Sequence, residues 1–523
     1  MAREFGDFQT PPELVTAVLN CLKADSWQWT RALEPTCGVG NFIRGLLDSP
    51  KPPAEIRGFE IQDSHLEIAR RINSSKQTEI VVESASLFNL NLKHDIKWRT
   101  DGPLLVIGNP PWVTNSELGV LESFNLPRKS NLKNLLGLEA ITGSANFDLT
   151  EFIWIKLITE LADQRPTIAL LCKTSVARNV LLFLHDRSIP LTQAWLRRID
   201  AQKFFGAAVD ACLFYVEIGS EKCSRYEAEV FADLQATQPV TSMCVVNSRV
   251  VMNRDAYQQV EFVDGVCPMT WRQGVKHDAA SVVELEIEGE LLKNKLGEQV
   301  DVEPDYVFPL IKGSELFRGD FSKARRQLIV PQRKIGEDTR GLAFAAPELW
   351  SYLNNHSEAF LKRKSSIYNS QPPFSIFGIG DYSFAPFKVG VSGLHKQPRF
   401  RFIGQFDAKP VMLDDTSYFI ACHSAEQAAL IAALLNHPLT ITFLDSAMFT
   451  DAKRPVTKKL LQRIDLNALL SRIDSASLIA DAQVEIEKWG VVTEKLNYCW
   501  PNELKTLLSA KPTENQMRLF AAV

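Results

Sequence analysis

The stretch GNPPWV, residues 108–113, follows an apolar run with an asparagine, two prolines and a tryptophan. Those residue types suit one chemistry. An exocyclic amine on a nucleobase is a poor nucleophile because its lone pair is delocalised into the ring, so a catalyst must draw on both amine hydrogens. Two acceptors are needed. The side-chain oxygen of Asn109 is one, and the backbone carbonyl of Pro110 is the other, because Pro110 and Pro111 fix φ and hold that carbonyl outward. Trp112 supplies a flat face for stacking a base. The plain alternative is an Asn-Pro turn with a buried tryptophan.

Position decides between them. From residue 30 to about 220, apolar runs such as EIRGFEI, GPLLVIGN and TIALLC alternate with helical stretches, the pattern of a wound α/β sheet. GNPPWV then stands at the carboxyl edge of the fourth strand, where such sheets bind ligands. The first strand ends in LEPTCGVGNF, residues 33–42, whose glycines let the backbone approach a ligand at a helix N-terminus. The second, EIRGFEIQD, carries Glu60 about 20 residues on, where a carboxylate accepts hydrogen bonds from both ribose hydroxyls. An adenosine-type ligand is indicated, although Glu60 alone could be a solvated surface carboxylate.

EPTCGVGNF, GFEIQ and GNPPW, in this order and preceded by FQTPPELV at residues 8–15, resemble the TaqI-type (γ-class) adenine-N6 DNA methyltransferases; FDLTEFIWIKLI, TIALLCKTSVARN and FFGAAVDACLFYVEI extend the resemblance over about the first 218 residues. It implies a Rossmann-like class I methyltransferase core, a mixed, mostly parallel seven-stranded sheet. It also implies S-adenosyl-L-methionine as cofactor and an adenine flipped out of the duplex. On the same resemblance Thr10 and Pro11 cover the cofactor methionine, Glu34, Pro35, Thr36, Gly38 and Gly40 form its cradle, and Glu60 holds its ribose. Asn109, Pro110, Pro111 and Trp112 fall on the catalytic positions, with Asn109 also bordering the cofactor. Phe204, or Phe205 if the register shifts by one, packs against the other side of the base. A methyl sulfonium is electrophilic enough that the amine attacks first and sheds its proton afterwards, so no general base is required.

Two positions depart from the pattern. ESASLFNL has Ala85 or Ser86 where an aspartate usually bonds the cofactor adenine, so Ser84 or Ser86 takes over or binding is weaker. Lys173 stands in LLCKTS where a proline is usual.

At 523 residues, two or three domains are expected. The reading places a catalytic domain over 1–220 and an α+β DNA target-recognition region over 221–523, with a connector near 281–311. The net charge of -4 excludes a polycation, so DNA contacts need a local basic surface. In KGSELFRGDFSKARRQLIVPQRK, residues 312–334, seven Lys or Arg face two acidic residues. KRKSSIYNSQPPFSIFGIGDYSFAPFKVGVSG then interleaves basic and aromatic residues, which suits nucleic acid. This region resembles the specificity domains of TaqI-like restriction-modification methyltransferases, and Arg333, Lys334, Lys364 and Lys388 are the expected phosphate contacts.

Nine cysteines without metal spacing fit a reducing cytosol and no metal site. No long uncharged apolar run and no signal peptide is seen, so a cytoplasmic protein with no membrane partner is expected. His277 and Asp278 read as a structural hydrogen bond. The cofactor motif starts by residue 8, so any restriction endonuclease is expected on a separate chain, and the protein as a monomer on double-stranded DNA. Methylation of RNA or of a protein glutamine, and a non-catalytic DNA-recognition subunit of a defence complex, are the other readings.

Overall fold

The structure is a computed structural model and describes residues 9–22, 29–74, 77–113, 148–221, 225–319, 321, 324–450, 452–489 and 504–505. Phe8 of FQTPPELV, Asp320, Ser322 and Lys323 of the first basic segment, and Asp451 lie outside them. The chain forms two compact units, Met1–Arg254 and Asp255–Val523.

In the first unit a strand covered by helices on both faces has no solvent side, so its residues are mostly apolar and a charge within it is paired, as Arg57 is with Glu55. Arg31–Glu34 (β1), Glu55–Glu60 (β2) and Leu104–Gly108 (β4) are buried at every position. Glu79–Ser84 (β3), at the sheet edge, is half-buried to exposed. Thr167–Lys173 (β5), Leu191–Ile199 (β6) and Ala211–Ile218 (β7) follow. The order is β3-β2-β1-β4-β5-β7-β6, with β7 antiparallel to both neighbours. This is the expected mixed seven-stranded sheet.

Period-two alternation sends neighbouring residues to opposite faces. Leu105 and Ile107 of β4 pack with Leu14, Val18, Phe42 and Ile43 of the helices Pro12–Cys21 (α1) and Asn41–Leu47 (α2). Leu104 and Val106 face the other way, against Ile153, Trp154, Leu157 and Val180 of two later helices, Leu149–Leu161 and Thr174–Asp186.

Three further strands, Glu227–Phe231 (β8), Thr241–Val246 (β9) and Arg249–Val251 (β10), widen this sheet to ten. β8 runs parallel to β6, and β9 and β10 fold back antiparallel. The expected boundary at residue 220 is therefore displaced to Arg254. The reason is burial: Ala228, Val230 and Met243 complete one core face and Phe231 the other.

Among its described residues the second unit holds three further sheets, the smallest a pair of two-residue strands, Gln405–Phe406 and Lys409–Pro410. Residues 281–311, expected as a connector, instead supply Glu284–Glu288, Leu291–Asn294 and Val307–Ile311 to a five-stranded sheet with Arg326–Ile329 and Met412–Leu413. The exposed acidic positions of this hairpin masked its alternation in the sequence. Trp271–Gln273, Ser417–Cys422, Phe387–Ser392 and Arg401–Ile403 form an antiparallel four-stranded sheet. The helix Ala425–Asn436, buried almost all round, packs on it. Among the described residues no single helix is long and apolar enough to cross a membrane.

Candidate active site at the carboxyl edge of the first sheet

β1, β2 and β4 are neighbours, so the three sequence motifs end side by side. Leu33 pairs with Arg57 and Val106. Gly108, with φ of 159°, lies close to Glu34 and Pro35: a Cβ built there would be 3.5 Å from Glu34 Cγ and 3.7 Å from Pro35 Cδ.

The turn after β1 is held by backbone geometry and one carboxylate. Gly40, at φ of 81°, is the left-handed residue from which α2 departs, a conformation that costs a glycine little. Glu60 accepts the Gly38 amide on Oε2 at 2.8 Å and the Ile61 and Gln62 amides on Oε1 at 2.8 and 2.7 Å. The carboxylate thus fastens the glycine turn to the end of β2, and three bonds leave one of its roughly four lone-pair positions open. The N-terminal segment closes over this turn. Gln9 Oε1 accepts the Val39 amide at 3.1 Å and packs over Gly38, while the Thr10 carbonyl accepts Asn41 Nδ2 at 2.8 Å. Thr10 is buried, and Pro11 caps α1.

The donor set fits a cationic, hydroxyl-bearing ligand such as S-adenosyl-L-methionine. Glu34 is buried, and burial pushes its carboxyl well above the usual carboxylate range, against the lowering effect of the Ile43 amide; nearby Glu60 adds to the rise. Its Oε2 and the hydroxyl of Thr36 are buried with no hydrogen-bond partner. Buried polar atoms are seldom left so, and each is a place where a ligand gains a bond. At the third strand Ser86 is half-buried and Ser84 exposed.

Glu60→Gln replaces an acceptor of three amides by a side chain with one oxygen and two competing donors. It is expected to weaken S-adenosyl-L-methionine binding by about 10- to 100-fold in calorimetric titration, a loss of about 1–3 kcal/mol. Unchanged affinity would count against Glu60 as the organiser of the turn.

The GNPPWV loop is fixed from below. Thr150 Oγ1 donates to the Pro111 carbonyl at 2.7 Å and the Leu149 amide to the Val113 carbonyl at 3.0 Å. Among the described residues none donates to the carbonyl of buried Pro110, which directly precedes these anchored positions. Asn109 is half-buried beside it. Trp112 is 7% exposed; its Nε1 donates to the Leu171 carbonyl at 3.3 Å, and its ring meets Phe205 edge-on at 5.2 Å. Of the FF pair, then, Phe205 touches the tryptophan, while half-buried Phe204 stands 6.5 Å beyond it. Both ride on the short helix Ala201–Phe205, capped by Asp200 and ended by left-handed Gly206.

Three supports were not singled out as functional in the sequence. Asp148 caps the helix Leu149–Leu161 by accepting the Thr150 amide at 3.0 Å and pairs with Lys173 Nζ at 2.7 Å. Lys173, at the end of β5, thus joins β5 to the helix that carries Thr150. Asp148 followed three positions later by Glu151 has the spacing of a capping box and was the available signal. Thr150→Val removes the hydroxyl under the loop. Turnover is expected to fall about tenfold with cofactor affinity unchanged, since a lost buried bond is worth about 1 kcal/mol or more. Thr150→Ser should restore it; equal turnover in all three proteins would exclude this support.

In the second unit Arg333, Lys334 and Lys364 are exposed, as phosphate contacts must be. Lys388 is not: it is 1% exposed, donates to the Ala385 carbonyl at 2.8 Å and lies 5.8 Å from the Phe419 ring centroid. It cannot reach a phosphate, and that assignment is withdrawn. Its strand is buried at every position but the first, which the interleaving of basic and aromatic residues in the sequence does not reveal. His277 is structural, accepting the Ala279 amide on Nδ1 and facing Glu284 at 3.3 Å. Glu284 also binds Lys295 and Lys312, and these partners hold its carboxyl far below the usual range despite burial.

No family model matches the chain. The sheet order and its antiparallel β7 are those of the class I S-adenosyl-L-methionine-dependent methyltransferases. The type IIL restriction-modification enzyme MmeI, solved in complex with DNA, matches with a TM-score of 0.53 and 13% identity, covering 97% of this chain and 76% of that one. At that identity the likeness is one of fold. The type II methyltransferase M.NspV of a Nostoc species is 37% identical over 468 residues, 89% of this chain and 97% of its own. With that identity maintained over both units, the chain belongs to the type II methyltransferase family.

Proposed function

We propose that this protein is a site-specific DNA adenine-N6 methyltransferase of a restriction-modification or phage-defence system. The observation that carries the reading is the pair of acceptors at the end of β4. Asn109 and the Pro110 carbonyl stand beside the cofactor turn, on a loop anchored just after them at Pro111 and Val113. MmeI, the fold relative, was solved on DNA, and the second unit presents Arg333, Lys334 and Lys364 at its surface.

In this reading the target adenine leaves the duplex and enters the cleft at Asn109. Bound S-adenosyl-L-methionine supplies an electrophilic methyl sulfonium. Asn109 Oδ1 and the Pro110 carbonyl accept the two N6 hydrogens, which turns the nitrogen lone pair out of the ring plane towards the cofactor side. Trp112 and Phe205 form one wall of the base pocket and Phe204 its outer part. Stacking of this kind is worth about 1–3 kcal/mol per base, enough to offset much of the cost of extrusion. Glu34, Thr36, Gly38 and Glu60 hold the cofactor, Thr10 and Pro11 cover it, and Ser86 bonds its adenine.

The test is sequencing of DNA from cells producing the protein, read for modified bases. Methylated adenine in one sequence context is expected with the wild type and a strongly reduced level with Asn109→Ala. Modified cytosine, or labelled methyl groups entering RNA or protein, would overturn the adenine assignment.

A further inference from the structure

A further cluster of positive charge in the second unit includes none of the assigned contacts, although its Arg318 shares the segment 312–334 with Arg333 and Lys334. Arg318 ends the short helix Gly313–Arg318; His395, Lys396 and Arg399 lie on the segment between Phe387–Ser392 and Arg401–Ile403. Arg318, Lys396 and Arg399 are exposed.

The cluster has an aromatic floor. The rings of Phe317 and His395 stack at 3.8 Å with an interplanar angle of 5°, and the Arg399 guanidinium lies over Phe317 at 4.6 Å. Its frame is rigid: buried Ser392 bonds His395 Nδ1 at 2.8 Å, and Arg401 Nη2 donates to the Phe317 carbonyl at 3.2 Å. Burial lowers the His395 pKa, and the charges of Arg318 and Arg399 lower it further, which shows like charges gathered in one place.

Many cations of this unit are neutralised: Lys293 by Glu288, Lys295 and Lys312 by Glu284, Arg326 by Glu315, Arg340 by Asp338 and Arg463 by Asp264. Among the described residues none pairs with Arg318, Lys396 or Arg399. Holding like charges together without counter-ions costs free energy in the free protein. That cost is returned when a polyanion binds and its condensed counter-ions are released.

We propose that Arg318, Lys396 and Arg399, set around the Phe317–His395 stack, form a clamp for the DNA phosphate backbone that adds affinity without reading sequence. The side chains carry the marks of backbone contacts: fixed positive charge and exposure. The proposal rests on the DNA reading above and adds a second contact region to it.

The experiment uses the full chain and a short mixed-sequence DNA duplex, titrated over a range of salt concentrations. The triple substitution Arg318→Gln, Lys396→Gln, Arg399→Gln is compared with the wild type and with Lys293→Gln, which removes a surface cation already paired to Glu288. The clamp predicts about tenfold weaker binding by the triple variant near physiological salt. It also predicts a slope of log affinity against log salt that is shallower by about 3, since each phosphate contributes about 0.9. Lys293→Gln should match the wild type. A shared melting temperature and cofactor affinity establish that the triple variant is folded. Wild-type binding with the triple variant unchanged in affinity and slope overturns the clamp alone. No binding of the duplex by the wild type overturns the DNA reading and the clamp with it.

Discussion

Asn109→Ala is expected to reduce methyl transfer by about 100- to 1000-fold, the effect of removing one pre-set hydrogen-bonding group from a reacting centre. The loss should fall on turnover, because the side chain acts on an amine that becomes reactive only when its two hydrogens are held. The Pro110 carbonyl remains and is backbone, so a residual rate is expected. Asn109 is half-buried at the loop, outside the main packing of β4, and the variant should therefore melt within about 1 kcal/mol of the wild type. Single-turnover transfer of a labelled methyl group to DNA, with thermal melting in parallel, checks both. A variant that keeps more than a tenth of the wild-type rate would remove Asn109 from the chemistry.

Lys388→Met is expected to stabilise the protein, most strongly at mildly acidic pH. Burial pulls the Lys388 pKa down to about 7 from an ordinary value of 10.5, and proximity to Cys422 only partly opposes this. Below about pH 7 the ammonium is charged both folded and unfolded, so the full cost of burying it is present. Between about pH 7 and 10.5 the folded protein holds the neutral amine while the unfolded chain still binds the proton, so stability rises with pH across that window. Methionine removes the cation and keeps most of the volume. The gain at pH 6 is expected to be about 2–4 kcal/mol, less than the whole shift implies because the bond to the Ala385 carbonyl is lost. It should shrink towards zero above pH 10.5. Denaturant unfolding at pH 6, 8 and 10 measures this; a variant less stable than the wild type at pH 6 would show that the buried amine is needed for packing.

Much of the first unit is legible because its constraints are local. A parallel strand buried on both faces is mostly apolar, so LLVIG and TIALLC marked β4 and β5 directly, whereas β1 and β2 carry buried charges in RALE and EIRGFE. Pro12 and Asp63 open their helices because the first turn needs no proline N–H and favours an acidic side chain. The site residues could be located for the same reason: each motif sits where a strand ends, and parallel strands of one sheet end at the same edge. Sequence thus determined the class of fold and the adjacency of Glu34, Glu60 and Asn109; Thr10, named only through the family resemblance, lies beside the same turn through its bond to Asn41.

Tertiary structure decided whatever depends on residues far apart in the chain. Strands β8 to β10 belong to the first sheet because β6 offers a free edge and Val230 a place in its core, which no local pattern near residue 220 records. Phe205 rather than Phe204 meets Trp112 because the phase of a five-residue helix is set by its Asp200 cap and its packing. Thr150, Asp148 and Lys173 support the GNPPWV loop through bonds that span about 25 to 39 positions. Lys388 shows the limit most clearly: alternation along a strand states which side chains share a face, and only the packing of other elements on the sheet states whether that face meets water.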